Sequence, residues 1–357
     1  MTELPTRADD DTLPDPSFQL GAADWERLHG LRARFLEGGG AVRADYWRDE
    51  RDLELYDAVY AARIGWKWDA LLAELAWRGW SPPTGRVLDW GCGSGIAGRR
   101  FGAHFGWAER SLALHDRARG AAAFARERGQ RRSPGLAIDV LDEAESLDAR
   151  PDVLLLSHVL GELSGEAEQR LLALAARATA VLWLEPGDRR SSRRLSHVRE
   201  RLRATHRVVA PCPHQAACGL LAPEQERHWC HFFALPPNEV YTSRFWRAVA
   251  DELHLDMRAL PYSVLAVDHR PSALAATPES GIARVLGRPR IEKGAARLDM
   301  CRESGVADLR FLQRIDKATF KRLAEPAGER FLWSVEADGP RIRAFRDWRA
   351  PPTPPPG

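Results

Sequence analysis

The sequence has almost no net charge, and it is poor in lysine. Its 357 residues carry 52 basic and 50 acidic side chains, a formal net charge of +2, so no basic footprint for nucleic acid extends over the whole protein. Lysine occurs only at 67, 293, 317 and 321, so arginine supplies nearly all of the positive charge. A GC-rich genome explains this bias without any function. The functional alternative is that guanidinium groups suit phosphate and carboxylate better than ammonium groups do.

Long apolar runs and export signals are also missing. No stretch approaches 18 apolar residues, so no membrane-spanning helix and no membrane partner are expected. The acidic N-terminal segment MTELPTRADDDTLPDPS lacks the basic and apolar regions of a secretory signal. We therefore expect a cytoplasmic protein whose five cysteines are reduced thiols. A cluster of reduced thiols indicates metal binding or catalysis rather than disulfides.

Strands alternate with helices in the middle of the chain. Apolar runs that predict strands lie at 86–90, 111–116, 135–142, 152–160 and 179–187, and helical segments separate them. This alternation predicts an α/β fold with a doubly wound, Rossmann-like parallel sheet that binds ligands at the carboxyl ends of its strands. A further strand is predicted at 262–270, and the short β-like runs after it indicate a small appended domain.

Composition divides the chain into segments, and we expect it to be a monomer. Terminal disorder is predicted where the sequence is acidic or rich in proline. The predicted segments are disordered termini at 1–17 and 346–357, a helical region at 18–83, the α/β domain at 84–275 with a cysteine-rich segment at 210–233, and a small β-rich domain at 276–345.

A glycine-rich turn, VLDWGCGSGIAG, follows the first predicted strand. Gly91, Gly93 and Gly95 allow the backbone to turn tightly and to approach a ligand without an intervening Cβ. The form D-x-G-C-G-x-G resembles the first motif of S-adenosylmethionine methyltransferases more than the G-x-G-x-x-G of dinucleotide enzymes. In those methyltransferases an acid at the end of the second strand holds the ribose hydroxyls, and Asp116 has that position. The alternative is a tight turn that binds nothing.

Three further residues complete the predicted cofactor site. Asp89 ends the strand that leads into the glycine turn, and Ser157 follows the fourth predicted strand. Asp139 is expected near the adenine edge. Together with the three glycines and Asp116, they form the set that we predict to bind S-adenosyl-L-methionine.

The usual catalytic motifs of nucleic-acid methyltransferases are absent. Enzymes that act on a base amine place an Asn-Pro-Pro-aromatic run after the fourth strand, where this chain has SHVLGEL. C5-pyrimidine enzymes need a nucleophilic cysteine, and none lies near the ends of the fourth and fifth strands. His158 is a candidate general base, and Glu185 is a candidate for lining the cleft. A packing histidine and a solvated loop acid are the alternatives.

Four of the five cysteines form a candidate metal site. Thiolates bind zinc ions and iron–sulfur clusters, and the C-x2-C spacing of zinc knuckles is absent here. His214 and His231 are alternative ligands that keep a Cys3His zinc site open. Spacing alone therefore leaves zinc and iron–sulfur equal, with buried thiols as the alternative without metal. The four cysteines are Cys212, Cys218, Cys230 and Cys301.

Several motifs occur in one order over roughly residues 42–320: YWRDERDLELYDAVYAARIGWKWDALLAEL, VLDWGCGSGIAG, HVLGEL, LWLEPG, VAPCPHQAAC, WCHF and LDMC. This ordered set resembles the methyltransferase-like assembly factors of the mitochondrial small ribosomal subunit and their bacterial relatives. The chain departs from the family pattern at Gln215, where an acid is usual, and at Gly219, where proline is usual. Its region after Cys301 matches weakly.

The resemblance implies two prosthetic groups and one partner. The groups are S-adenosyl-L-methionine, in a methyltransferase-type domain, and a [4Fe–4S] cluster held by the four cysteines named above. The partner is the small ribosomal subunit, through its rRNA, during ribosome maturation. Two alternatives stay open: an active rRNA methyltransferase, and a zinc-stabilised methyltransferase that acts on a small molecule or a protein.

An arginine-rich segment is the candidate surface for that rRNA. Residues 188–207 hold eight arginines against two acids and predict a helix just before the cysteine segment. We expect Arg189, Arg190, Arg193 and Arg194 to contact phosphates and to make the binding dependent on salt. An ordinary solvated helix is the alternative.

Overall fold

A computed structural model describes residues 18–36, 47–325, 328 and 330–349. The segments 1–17 and 350–357, for which disorder is predicted, lie outside the described residues. The helices are α1 (Ala22–Leu36), α2 (Glu50–Tyr56), α3 (Ala62–Trp77), α4 (Ile96–Phe105), α5 (Arg119–Arg132), α6 (Glu143–Asp148), α7 (Gly165–Arg177), α8 (Arg189–Leu202), α9 (Asn238–Thr242), α10 (Arg244–Glu252) and α11 (Lys317–Ala324).

The strands form one large sheet and one barrel. Those of the sheet are β1 (Gly85–Trp90), β2 (Arg110–His115), β3 (Ile138–Val140), β4 (Val153–Ser157), β5 (Ala180–Pro186), β6 (Arg207–Ala210), β7 (Phe232–Ala234) and β8 (Leu260–Asp268). Those of the barrel are β9 (Ile282–Glu292), β10 (Ala295–Arg302), β11 (Gly305–Leu312), β12 (Leu332–Asp338) and β13 (Arg341–Asp347).

The large sheet has the strand order β3-β2-β1-β4-β5-β8-β6, and β7 also pairs with β8. The five predicted strands become β1 to β5 and are parallel. The chain reverses its crossover direction between β1 and β4, which opens a ligand crevice at their carboxyl ends. The fold is therefore Rossmann-like, in the arrangement that the alternating pattern predicts.

The sheet is mixed, which corrects the expectation of a wholly parallel one. Strand β8, from the run predicted at 262–270, lies antiparallel to β5, β6 and β7. All but one of its nine residues are buried, so it has the continuous apolar pattern that is typical of a central parallel strand. This pattern reports burial of both faces and carries no information about strand direction.

Two apolar layers cover the sheet. Along β4, Val153 and Leu155 belong to the cluster that packs against α3 and α4, whereas Leu154 and Leu156 belong to the cluster that packs against α7 and α8. This division follows from the alternation of side chains along a strand. No helix among the described residues is long and apolar enough to cross a bilayer.

The predicted β-rich domain is a closed barrel with the strand order β10-β11-β13-β12-β9. Helix α11 connects β11 to β12, and the interior contains Met300, Phe311 and Trp333. Strand β13 extends to Asp347, two residues past the predicted end of the domain. The barrel is therefore a separate apolar core beside the Rossmann-like domain.

A buried ion-pair network joins the barrel to the rest of the protein. Glu74 of α3 contacts Arg78 at 2.7 Å and Arg284 of β9 at 2.8 Å. Both arginines also donate to the carbonyl oxygen of Pro211, at 3.0 and 2.9 Å. Burial opposes ionisation of Glu74, but the charges of the two arginines outweigh it and hold its pKa well below the usual value. One carboxylate therefore ties α3, the segment after β6 and the barrel together.

We predict that Glu74→Gln lowers the free energy of unfolding by about 3–5 kcal/mol, because it leaves two buried guanidinium groups without their counter-charge. Equilibrium urea denaturation measures this loss. The matched control is Glu127→Gln, which removes an acid that is 52% exposed and paired with Arg131. We expect the control to change the free energy by less than about 1 kcal/mol. Equal effects of the two variants would contradict the network.

Candidate cofactor cleft and cysteine group

A cleft of 1760 Å³ opens at the carboxyl ends of the parallel strands. Its lining includes Gly91 and Gly93 of the glycine turn, Asp116 after β2, and Ser157 at the end of β4. The Ser157 hydroxyl accepts a hydrogen bond from the Trp68 indole of α3 at 3.0 Å. The cleft therefore lies at the crevice that the strand order creates.

The glycine turn needs glycine for two reasons. Gly91, Gly93 and Gly95 all have positive φ angles, of 70°, 53° and 80°, which glycine adopts without a steric cost. A Cβ on Gly91 would lie 2.7 Å from a methyl carbon of Val159, and one on Gly95 would lie 2.9 Å from the Cβ of Ala125. The turn therefore packs closely against the loop that follows β4 and against helix α5.

Asp116 is held at the edge of the cleft by backbone donors. Its carboxylate accepts the N–H of Gly93 at 2.9 Å and the N–H of Ala118 at 2.8 Å. Burial raises the pKa of Asp116, and these two donors act in the opposite direction. The carboxylate is thus fixed in the place that a ribose-binding acid needs, next to the glycine turn.

Three members of the predicted cofactor set lie outside the lining of the cleft, so their assignment stays a prediction. The buried carboxylate of Asp89 accepts the N–H of Gly98 at 3.0 Å, which braces the turn from behind. Gly95 packs on α5. Asp139 is 66% exposed and pairs with Arg86 at 3.1 Å. The short β3 points Asp139 away from the crevice, and Val140 and Leu141 line the cleft instead.

The inner end of the cleft carries buried polar atoms without partners among the described residues. They are Nε of Arg63, Nε2 of His158 and Oε2 of Glu185. All three side chains line the cleft together with Lys67. Because buried polar atoms are almost always hydrogen-bonded in native proteins, three orphaned atoms in one cleft indicate a place for a polar ligand.

His158 and Glu185 are fixed by their neighbours. His158 has a φ of 58°, and its backbone N–H donates to the carbonyl oxygen of Leu184 at 2.8 Å. Glu185 accepts three donors on Oε1: the N–H groups of Val159 and Leu160 at 3.1 and 3.0 Å, and the Trp183 indole at 2.8 Å. Both catalytic candidates therefore line the cleft on rigid backbone.

Burial sets the charges in this part of the cleft. It lowers the pKa of His158 well below the usual value, and the nearby charges of Lys67 and Arg63 add to the effect. It also lowers the pKa of Lys67 to about 7 and raises that of Glu185 to about 7. A neutral imidazole thus lies near an amine and a carboxyl group that both titrate near neutral pH.

The four cysteines of the candidate metal site come together from distant parts of the chain. Cys301 of β10 is buried against Leu220 and Leu286, and Cys218 and Cys230 pack on the same apolar group. Burial raises the pKa of Cys230 well above the usual value, and the other three thiols of the group add to it. The run LDMC is thus folded against the 212–230 loop, as a four-ligand site would require.

Among the described residues, no three His, Cys, Asp or Glu side chains meet closely enough to hold one metal ion. A tetrahedral zinc site has Zn–S distances of about 2.3 Å, which places its sulfur atoms about 3.8 Å apart. Of the two alternative ligands, His214 approaches Cys301 at 3.4 Å, whereas His231 stacks on Trp229.

Arg199 of α8 is a site residue that the sequence interpretation missed. Its guanidinium donates to the sulfur of Cys212 at 3.1 Å and to the carbonyl oxygens of His214 and Ala216 at 3.2 and 2.8 Å. A signal was present, because positions 195, 198, 199 and 202 follow the spacing of a buried helical face. An arginine on such a face implies an interior partner.

Three of the four arginines of α8 that were predicted to contact phosphate donate instead to neighbouring groups of the protein. Arg193 donates to three carbonyl oxygens of the cysteine segment, the nearest being that of Leu220 at 2.9 Å. Arg189 donates to the carbonyl oxygen of Glu226 at 2.9 Å. Arg194 binds Leu160 and Glu168. Arg190 is exposed at the mouth of the cleft.

Gly219, the departure from the family pattern, lies where the cysteine segment meets the barrel. A Cβ at this position would lie 2.7 Å from the Cα of Gly305, the first residue of β11. Since that neighbour is backbone, it has little freedom to move aside. The absence of a side chain lets the loop approach the strand that carries Cys301.

Glu185 generates a prediction about pH. Because burial raises its pKa to about 7, the folded protein binds a proton that the unfolded chain releases near its ordinary pKa of about 4.3. The contribution of Glu185 to stability therefore falls as pH rises from about 4 to 7, by up to about 4 kcal/mol. Glu185→Gln keeps Oε1 as the acceptor and removes this part of the slope. Urea denaturation at several pH values gives the free energy of unfolding as a function of pH. The same slope between pH 4 and 7 in the variant and the wild type would contradict the prediction.

Solved structures have only weak similarity to this chain. Solved structures with similarity to the chain include magnesium protoporphyrin IX methyltransferase from Synechocystis PCC 6803 with bound SAH (12% identity, 70% of this chain, 95% of that chain, TM-score 0.36). They also include precorrin-6y C5,15-methyltransferase from Geobacter metallireducens GS-15 (12% identity, 56% and 86%, TM-score 0.34). These scores are too low to carry an argument, so the fold assignment rests on the strand order.

The family comparison is stronger. No curated protein matches the sequence. The family described as mitochondrial small ribosomal subunit Rsm22 matches residues 59–327, which is well over half of the 357 residues and includes the glycine turn and all four cysteines. The chain therefore belongs to the Rsm22 family.

Proposed function

We propose that this protein is an assembly factor of the small ribosomal subunit that carries S-adenosylmethionine and a [4Fe–4S] cluster. The observation that carries the proposal is that Cys301 packs with Cys218 and Cys230 and that the Cys212 thiol is close enough to affect the pKa of Cys230. The family of this chain is described as a small-ribosomal-subunit protein. Partner binding follows from the family description. A cytoplasmic location stays a prediction, since the family is described as mitochondrial. A monomeric state also stays a prediction.

The donor chemistry of the cysteine group supports the cluster. Cysteine thiolates hold [4Fe–4S] clusters, and four cysteines of this chain offer such ligands in one region of the fold. The guanidinium of Arg199 donates to the sulfur of Cys212 and so fixes the position of this sulfur. Apolar neighbours, among them Leu220, Leu286 and Phe232, limit the access of water. When bound, the cluster would supply metal–sulfur bonds that tie the loop to β10.

The cleft supports S-adenosylmethionine as its ligand. Gly91 and Gly93 leave space for backbone contact with the ligand, and Asp116 offers a fixed carboxylate at the ribose position. The crevice between β1 and β4 lies where doubly wound sheets bind nucleotides. The cleft is large enough to admit a second ligand beside the cofactor.

The test of the cluster is anaerobic purification with analysis of metal and sulfide. We expect about four iron and four sulfide ions per chain, and Cys301→Ser to lose most of both. The control is Cys92→Ala, which alters the cysteine of the glycine turn outside the group and should keep the full content. Stoichiometric zinc without sulfide would overturn the cluster. The same preparations are tested for co-sedimentation with small ribosomal subunits, and absence of wild-type binding would overturn the assembly role.

Active methyl transfer to rRNA is the second candidate, and the three orphaned polar atoms at the inner end of the cleft favour it. A neutral His158 can accept a proton from an attacking group. We predict that wild-type protein transfers labelled methyl groups to small-subunit rRNA and that His158→Asn slows transfer by about 100-fold or more. Asparagine tolerates the left-handed backbone at this position. If the wild type transfers no methyl group to precursor or mature subunits, the methyl-transfer candidate is overturned and the assembly role is unaffected.

A further inference from the structure

The barrel has the arrangement of an oligonucleotide-binding fold. Its five strands close on themselves, with β11 pairing parallel to β13 and helix α11 inserted between β11 and β12. In this fold the outer face of the second and third strands, together with the loops after the first and fourth strands, binds oligonucleotides. A fold does not establish a function, so the residues on that face decide the matter.

Four arginines lie in one row across that face. Arg297 of β10 is directly opposite Arg290 of β9 on one side and Arg310 of β11 on the other. Arg310 is in turn in register with Arg341 of β13. Neighbouring strands are about 4.8 Å apart, so the row spans about 14 Å. The interior of the barrel takes the alternate positions, among them Leu298, and this leaves the arginines on the outer face.

This row is costly to the fold. Like charges directly opposite each other in a sheet are destabilising, and here three consecutive cross-strand pairs are arginine with arginine. A second row lies two residues further along, where Asp299 is opposite Asp308. Arg290 contacts both acids, at 2.8 and 3.1 Å. The acids lower the repulsion within the row.

The guanidinium groups remain accessible in spite of these contacts. Arg290, Arg297 and Arg310 are 48%, 49% and 43% exposed. Exposed ion pairs of this kind contribute little to stability, so a phosphate can take the place of the carboxylate. Arg341 lies directly after the turn between β12 and β13, and the carbonyl oxygen of Pro340 in that turn accepts the N–H of Arg310 at 2.6 Å.

We propose that the row formed by Arg290, Arg297, Arg310 and Arg341 binds the phosphate backbone of single-stranded RNA, which crosses the barrel strands. The inference deepens the proposed association with rRNA and rests on it for the identity of the nucleic acid. The aromatic side chains at 311, 320, 331, 333 and 345 pack in the barrel core, so base stacking on this face is minor. Recognition is therefore electrostatic and largely independent of sequence.

The test uses the full-length protein and a fluorescently labelled single-stranded oligo-uridine of about 15 nucleotides. Fluorescence anisotropy gives the affinity at several salt concentrations. We expect the triple variant Arg290→Gln/Arg297→Gln/Arg310→Gln to bind about tenfold or more weakly, with a salt slope smaller by about 2, because three phosphate contacts are lost. The matched control is Arg258→Gln, which changes an arginine that is 85% exposed on the other domain and should bind like the wild type.

A second variant is expected to change the oligonucleotide affinity in the opposite direction, and its result does not depend on whether the first variant folds. Asp299→Asn/Asp308→Asn removes the acids that compete with phosphate, so we expect tighter binding of the same oligonucleotide. Unchanged affinity in both the arginine and the aspartate variants would overturn the inference, as would a wild type that binds small subunits but no oligonucleotide. Row-dependent oligonucleotide binding without co-sedimentation with subunits would support the row and overturn only the proposed assembly role.

Discussion

The buried carboxylate of Glu74 is the interaction on which the arrangement of the other parts depends. Arg78 and Arg284 approach it from its own helix and from the barrel, and both also bind the carbonyl oxygen of Pro211. A buried ion pair of this kind contributes less to net stability than an apolar contact of the same volume would. Its directional bonds instead specify where the segment before Cys212 lies between α3 and β9. The cysteine group can form only if that segment and β10 are held at this distance.

Helix α8 connects the two candidate sites. Its N-terminal residues line the mouth of the cleft, and Arg194 binds the carbonyl oxygen of Leu160 next to the backbone that Glu185 fixes. One turn further on, Arg199 binds Cys212 and the loop that follows it. A ligand in the cleft and a cluster on the cysteines would thus be held by the same rigid element. Because Arg194 and Arg199 belong to one helix, a shift of α8 would change contacts at the cleft and at the cysteine group together.

The sequence predicted the fold better than it predicted individual contacts. Strand order follows from apolar runs and crossover helices, and the glycine turn identified the crevice, because backbone rules are local. The direction of β8 was not predictable, since its buried pattern is the same for both directions. The place of Asp139 outside the lining of the cleft was not predictable, because β3 has only three residues and the register of its end is not visible in the sequence. The barrel topology and the arginine row depend on pairing between strands that are far apart in the chain.

The scarcity of lysine explains why the arginines of α8 were misjudged. A guanidinium presents five donors in a fixed fork, so one residue type can neutralise a buried acid, cap carbonyl oxygens or bind phosphate. In this chain Arg284 has the first role, Arg193 the second, and the row on the barrel is suited to the third. Counting arginines in a segment cannot separate these roles, because all three look like positive charge in the sequence. The separating feature is geometry. Arginines whose donors reach interior carbonyl oxygens are committed to the fold, whereas arginines that are aligned across strands and half exposed remain available to a partner.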